Sequence, residues 1–129
     1  MMVKGLIFLA GLLGAMAVGA GAFGSHALKG KLTDQALQIF EVGVRYQMYH
    51  VLALLLVGIW LTQAPTSSPF LLVAGYCFLA GIAIFSGSLY ALSLTGIKWL
   101  GTITPLGGFA FMAGWVCVAI AALKLTEIG

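Results

Sequence analysis

The fold is decided by residues 40–58, FEVGVRYQMYHVLALLLVG, where a charged amphipathic run passes into an uncharged apolar one. No proline or other helix breaker interrupts this junction. Polar side chains are concentrated there, although only 7% of the residues in the chain are charged. We therefore expect the chemistry of the protein to lie where this segment enters the membrane.

The composition of the chain is that of an integral membrane protein. Of its 129 residues, 62% are hydrophobic, and the mean hydropathy is +1.14, far above that of a soluble domain. Four apolar runs approach the length of about 20 residues that crosses a bilayer. We predict spans at about 3–23, 45–62, 70–92 and 104–124. The predicted fold class is all-α, with residues 1–129 forming one membrane domain, an antiparallel four-helix transmembrane bundle.

A short interfacial amphipathic helix is predicted before the second span. From Ala36 to Val44 the apolar residues recur at helical spacing, which predicts a helix over about 33–44 at the membrane surface. Thr33 is its expected N-cap, and Gly30 the expected turn before it. This helix either bends into the second span or continues as it.

The first span is rich in glycine and alanine. Small residues recur four apart, which allows close approach between helices, in the pairs Ala15/Gly19, Ala17/Gly21 and Ala20/Gly24. The alternative is a signal peptide, because Lys4 precedes the apolar run and residues 20–22 read Ala-Gly-Ala. The run is longer than the apolar region of a typical signal peptide, so a retained helix is the favoured interpretation.

Four segments have a specific order and spacing: GAFGSHALK (21–29), YQMYHVLALLLVG (46–58), FSGSLYALSLTG (85–96) and ITPLGGFAFMAGW (103–115). Together they resemble the small membrane proteins of domain of unknown function 423, a family related to the eukaryotic transmembrane protein 256. The resemblance covers essentially the whole chain. It implies a four-helix, multi-pass protein of the bacterial inner membrane that keeps its first span. It implies no reaction, so no catalytic role is carried over to His26 or His50.

One helical stripe carries the charges of the junction. At about 100° per residue, Glu41 and Arg45 share a face with Asp34, Gln38 and Tyr49. Glu41 and Arg45 are also a favourable i,i+4 pair. One interpretation is a solvated interfacial face with a weak salt bridge. The other is that Arg45 neutralises Glu41 and binds an anionic headgroup or a small anion.

The opposite face carries His50, which is expected to point into the bundle. An imidazole at this depth needs a hydrogen-bond partner, which we expect on the first, third or fourth span, with Ser86 or Tyr90 as the preferred candidates. Antiparallel connections bring the polar residues of several spans, including Thr102, to one membrane level. The candidate residues for this polar layer or for ligand contact are His26, Glu41, Arg45, Tyr46, Tyr49, His50, Ser86, Ser88, Tyr90 and Thr104. Interhelical hydrogen bonding is the plainest role for the layer; the alternatives are a proton or solute path, a small-molecule pocket and a metal site.

Several kinds of chemistry are disfavoured by the sequence. Two histidines without carboxylate or thiolate companions make a poor metal site, and Cys77 and Cys117 lack metal or redox spacing. No nucleophile elbow or phosphate-binding glycine loop is present in the sequence. The six scattered Lys and Arg residues form no patch for nucleic acid. We therefore predict no metal, no cofactor, no catalytic residues and no enzymatic activity.

The favoured function is binding of a lipid, a small hydrophobic ligand or a protein partner through the glycine-rich faces and the polar layer. The alternative is a minimal transporter or channel for a small solute or protons, acting as an oligomer. Expected partners are membrane lipids, further copies of the chain and another membrane protein. Lys29, Lys31, Arg45 and Lys98 lie on one side of the membrane, against Lys4 and Lys124 on the other. Since cytoplasmic loops carry the excess of positive charge, we expect both termini outside the cytoplasm.

Overall fold

The computed structural model describes residues 2–64 and 69–125. Within them the chain forms α-helices and no β-strand. Their bounds are α1, Met2–Phe23; α2, Asp34–Gln63; α3, Pro69–Gly81; α4, Gly87–Thr95; and α5, Thr104–Leu123. Three further turns of helix extend or join them: a π-helical turn Gly24–Leu28 after α1, a π-helical turn Ile82–Ser86 between α3 and α4, and a 3₁₀ turn Lys98–Thr102 before α5. The predicted all-α fold is confirmed.

Four segments of the described chain are long and apolar enough to cross a membrane. They are Met2–Leu28, Asp34–Gln63, Pro69–Thr95 and Lys98–Leu123. Short connections make successive spans antiparallel. Between the second and third spans the sequence QAPTSSP (63–69) predicts an uncharged loop, and residues 65–68 of it lie outside the described part of the chain.

The second span is one continuous helix. Thr33 caps it as predicted, because its Oγ1 accepts a hydrogen bond from the backbone N–H of Ala36 over 3.1 Å. Gly30 forms the predicted turn with a φ of +86°, a conformation that favours glycine. The amphipathic residues 34–44 are helical and continue into the apolar part of α2 without a break. A helix of 30 residues is about 45 Å long, so α2 extends beyond a hydrocarbon core of about 30 Å.

The first helix packs along α2 through positions seven residues apart. Ile7 lies against Gly58, where a Cβ would be 2.6 Å from Cγ1 of Ile7. Further along the helix, Val51 lies against Gly14 and Val44 against Gly21, with corresponding distances of 3.3 and 3.5 Å. This spacing is that of a left-handed coiled coil. The predicted small-residue face of Ala17 and Gly21 therefore points to α2, while Ala15 and Gly19 are exposed.

The last helix packs on α3 and on the π-helical turn that follows it. At each contact a phenylalanine of one element lies against a glycine of the other. Phe78 covers Gly114, where a Cβ would lie 2.6 Å from Cε1 of the ring. Phe111 covers Gly81 in the same way, and the backbone of Phe85 lies directly against Gly107. Because the glycines leave no room for a side chain, α5 is held in one register against α3.

The apolar core is centred between α2 and α3 and includes buried residues of α1 and α5. Leu54, Leu71, Ala74 and Phe78 are all at most 1% exposed there. The outer faces of α1 and α5 are instead lined by exposed apolar side chains such as Phe8, Met16, Phe109 and Met112. In a bilayer these faces meet lipid, since apolar surface needs no burial within hydrocarbon.

Candidate functional site

The charges at the start of α2 place the membrane boundary near Arg45. Residues 46–63 contain no Asp, Glu, Lys or Arg and span about 27 Å of helix, close to the thickness of the hydrocarbon. Glu41 lies one helical turn farther out. On α1, residues 5–28 are likewise free of these four residue types, and Gly21 lies beside Val44 of α2. The end of α1 and the charged start of α2 thus meet at the interface.

An open groove separates the two helices at this level. Its volume is about 310 Å³, and its lining consists of Gly21, Gly24, Ser25, Phe40, Glu41, Val44 and Arg45. The glycines create the groove, because they bring the backbone of α1 close to α2 while adding no side chain. A Cβ on Gly24 would lie 3.1 Å from the ring of Phe40. The hydroxyl of Ser25 donates to the carbonyl oxygen of Gly21 over 3.0 Å, so its proton is already engaged.

The charged stripe, of which Glu41 and Arg45 line the groove, is exposed. Its five members are all exposed: Asp34, Gln38, Glu41, Arg45 and Tyr49. Glu41 and Arg45 line the same groove, yet in this part of the described structure they form no ion pair within 4.0 Å. The weak salt bridge expected from the i,i+4 spacing is therefore absent from the structure. Both charges remain available to a ligand.

His50 lies on the opposite face of α2 and is 5% exposed. The indole Nε1–H of Trp115 donates to its Nε2 over 3.0 Å, and its Nδ1 lies 2.8 Å from the carbonyl oxygen of Tyr46. Because an indole N–H can only donate, Nε2 must carry a lone pair and Nδ1 the proton. The ring is stacked on Phe111, with centroids 3.5 Å apart, and lies 5.6 Å from the ring of Phe78. His50 is thus a neutral imidazole with both nitrogens engaged.

His50 has its predicted partner on another span, but the choice of Ser86 or Tyr90 is wrong. Both residues face α2 closer to its start: Ser86 donates to the carbonyl oxygen of Gly43 over 2.7 Å, and the hydroxyl of Tyr90 donates to Oε1 of Gln47 over 2.6 Å. Trp115 of α5 donates to His50 instead. The cause is the close approach of α5, which the glycines opposite Phe78 and Phe111 permit.

Gln47 is the residue of this layer that our list of candidates missed. It is 3% exposed, and its Nε2 donates to the carbonyl oxygen of Leu13 over 2.8 Å while its Oε1 accepts from Tyr90. The Gln47 side chain of α2 is therefore hydrogen-bonded to both α1 and α4. The signal was present in the sequence, because Gln47 lies one turn from Gly43 and near His50 on the bundle face. A buried amide at that depth requires partners.

The remaining candidates divide into two groups. Ser88 and Thr104 join α4 to α5 through hydroxyl oxygens 2.6 Å apart. The helix α5 begins at Thr104, with Ile103 as its N-cap, and the Thr104 hydroxyl is hydrogen-bonded to Ser88. The others lie outside the layer. The side chains of His26 and Tyr49 are exposed. Tyr46 is 38% exposed, and its polar contact with the layer is the bond between its carbonyl oxygen and His50. The Thr102 hydroxyl donates to the carbonyl oxygen of Trp99 within the same turn.

The buried polar layer is satisfied internally. Every buried side-chain nitrogen or oxygen atom among the described residues has a hydrogen-bond partner. Among the same residues, no three His, Cys, Asp or Glu side chains are grouped so that they could hold a metal ion. Among the described residues, the polar groups of the layer are therefore engaged in hydrogen bonds, whereas the charged groups of Glu41 and Arg45 in the groove are not.

This geometry defines a helical membrane protein with four spans, a closed polar layer and an open interfacial groove. A family model described as "Protein of unknown function (DUF423)" matches residues 20–108, which include the groove and most of the layer. The chain belongs to this family. It is 50% identical to a UPF0382 membrane protein of Staphylococcus aureus (strain bovine RF122 / ET3-1) over 94% of this chain and 97% of that protein. It is 46% identical to the UPF0382 membrane protein YwdK of Bacillus subtilis (strain 168), over 94% and 98%. No solved structure matches the chain.

Proposed function

We propose that this protein is a non-enzymatic membrane protein that binds a phospholipid in the groove between α1 and α2. Arg45 binds the phosphate of the headgroup, and one acyl chain lies along Gly21 and Val44. The observation that carries the proposal is the contrast between two sets of polar groups: those buried in the bundle are paired, whereas Arg45 in the groove is not. An unpaired guanidinium at the membrane boundary binds phosphate oxygens strongly.

The size and depth of the groove favour a lipid over the other ligands considered. Its volume of about 310 Å³ is at the lower end for small-molecule sites, so it accommodates part of a molecule, such as a headgroup and the first segment of one chain. It opens at the level where headgroups meet hydrocarbon. The membrane supplies phospholipid there at high local concentration, without a separate partner. A second cavity of about 330 Å³, lined by Gln35, Gln38, Ile39, Val42 and Leu89, has no charged side chain to select a headgroup.

The alternative is a minimal transporter or channel for a small solute or protons. Such a path would pass the polar layer, where His50 and Gln47 would have to exchange their present partners for water or solute. Nε2 of His50 and both amide atoms of Gln47 are engaged between helices, and Nδ1 of His50 is engaged within α2. Those bonds support a structural role for the layer, and so they favour lipid binding.

We further propose the bacterial inner membrane as the location, with the groove at its cytoplasmic face. Lys29, Lys31, Arg45 and Lys98 belong to the side that carries the groove, against Lys4 and Lys124 on the other side. Anionic lipid is available at the cytoplasmic leaflet.

Lipid retention tests the proposal. The parent protein and two variants are purified in mild detergent from the same membranes, and bound phospholipid is measured by native mass spectrometry. Gly21→Leu places a side chain in the groove, and the backbone tolerates it because a Cβ there makes ordinary contact with Val44 at 3.5 Å. Gly19→Leu is the matched control, since nothing lies within 4 Å of a Cβ at this position. We expect one tightly bound phospholipid in the parent and in Gly19→Leu, and its loss in Gly21→Leu. Equal retention in all three would contradict the proposal.

A further inference from the structure

We infer that the groove selects phospholipids whose headgroup ends in a primary amine, as in phosphatidylethanolamine. Arg45 binds the phosphate, and Glu41 accepts hydrogen bonds from the ammonium group. This inference rests on the proposed function, because it names the lipid class that the same groove takes.

The charges of the groove match this headgroup in sign and number. One guanidinium and one carboxylate line the cavity, and the two do not neutralise each other through an ion pair. Positions i and i+4 place their Cβ atoms about 5–6 Å apart on one helical face. An ethanolamine headgroup offers one phosphate and one ammonium joined by a short ethylene bridge, so both protein charges are satisfied by a single molecule. Charge-assisted hydrogen bonds of this kind are the stronger ones.

The order of the two charges along α2 also matches the order of groups in a phospholipid. The helix runs from the interface at Asp34 into the hydrocarbon, so Arg45 lies about 6 Å deeper along the axis than Glu41. In a bilayer the phosphate lies next to the acyl chains, and the terminal amine lies farther out. Arg45 is therefore at phosphate depth and Glu41 at amine depth. Gly21 and Val44 form the apolar wall of the groove at the level of Arg45, beside the point where the acyl chains begin.

Other common headgroups leave one charge of the groove unsatisfied. Phosphatidylglycerol brings a phosphate but no cation, so Glu41 faces hydroxyl groups and a net negative headgroup. Phosphatidylcholine brings a cation without N–H donors, and an aromatic surface is what binds such a group best. The one aromatic residue of the lining, Phe40, is 4% exposed and packs on Tyr90 with ring centroids 5.0 Å apart. Its ring therefore offers no open face.

Competition between headgroups tests the inference. The protein is placed in bilayer nanodiscs with equal amounts of the ethanolamine, glycerol and choline phospholipids of one chain composition. The lipids retained after transfer to detergent are then counted by native mass spectrometry. We expect the parent to be enriched in the ethanolamine lipid over the glycerol lipid by roughly three- to tenfold. Glu41→Gln should abolish this ratio while retaining lipid, and Arg45→Gln should reduce retention of all three. Asp34→Asn removes an exposed acid of the same helix outside the groove, and it should behave as the parent.

Two outcomes would overturn the inference and are distinct from failure of the proposed function. Parent protein that retains lipid in the groove with no headgroup preference would leave lipid binding intact and refute the amine selectivity. The same holds if Glu41→Gln keeps the parent ratio. Retention that is insensitive to Gly21→Leu would instead refute the groove itself. Soluble glycerophosphoethanolamine, which has the headgroup without chains, should not displace the lipid; displacement at equal concentration would show that free headgroup, and not lipid, is the ligand.

Discussion

The indole N–H of Trp115 on α5 donates a hydrogen bond to Nε2 of His50 on α2 across 3.0 Å. This bond crosses the bundle between two helices that are far apart in sequence. It fixes the neutral tautomer of His50, because the Nδ1 proton is then directed to the carbonyl oxygen of Tyr46. His50 is thereby held as a structural link between α2 and α5.

Removing the indole donor should lower stability. In Trp115→Phe the ring contact with Phe78 is largely retained, but Nε2 of His50 is left without its donor. We expect a loss of about 0.5–1.5 kcal/mol, measured by reversible unfolding in detergent micelles. His50→Phe should cost a similar amount because it leaves the Trp115 N–H unpaired. The control is Trp99→Phe in the exposed turn before α5, which should change stability little. Unchanged stability in both core variants would show that the bond contributes nothing.

Gln47 should contribute more than either residue it binds. Gln47→Leu removes two interhelical hydrogen bonds and leaves the hydroxyl of Tyr90 unpaired, whereas Tyr90→Phe removes one bond. We expect Gln47→Leu to destabilise by roughly 1–3 kcal/mol and Tyr90→Phe by less. A double-mutant cycle in the same unfolding assay measures the coupling. Additive effects of the two changes would mean that the residues do not interact.

The register of α5 should depend on Gly107 and not on its neighbour. An alanine at Gly107 would bring its Cβ against the backbone of Phe85, which cannot move aside as a flexible side chain can. At Gly108 the nearest atom to a Cβ is 4.0 Å away. Gly107→Ala should therefore cost roughly 1–3 kcal/mol or prevent folding, and Gly108→Ala should be tolerated. Equal stability of the two variants would contradict the packing of α5 on α3.

The sequence predicts the helices well and their rotations poorly. The four spans, the Thr33 cap and the exposed stripe through Glu41 and Arg45 follow from local hydrophobic pattern, which one chain segment determines by itself. The partner of His50 depends on how α5 is rotated and how closely it approaches α2. That approach depends on the contacts of Phe111 with Gly81 and of Phe78 with Gly114. Both contacts join residues that are distant in sequence. For the same reason, the sequence predicts that a polar residue belongs to the layer but does not predict which residue it is hydrogen-bonded to.

Orientation in the membrane is tested by cysteine accessibility. Ser67 belongs to the sequence that links the second and third spans, and an even number of crossings predicts this link on the same side as both termini. In a background with Cys77 and Cys117 replaced by alanine, Ser67→Cys should react with an impermeant maleimide in intact cells, because the positive loops are expected to be cytoplasmic. Lys29→Cys in the same background should react only after permeabilisation. The reverse pattern would place the groove at the outer face.

The most direct test of lipid binding uses the fact that Arg45 is the only arginine in the chain. Protein labelled with ¹⁵N-arginine in phospholipid bilayers carries a single labelled guanidinium, and rotational-echo double-resonance NMR measures its distance to lipid ³¹P. We predict an N–P distance within about 4.5 Å in the parent and in Gly19→Leu, as N–H···O contacts of about 2.7–2.9 Å require. The dipolar dephasing should be lost in Gly21→Leu, where the groove is filled. Absence of dephasing in the parent, or equal dephasing in Gly21→Leu, would contradict phospholipid binding in the groove.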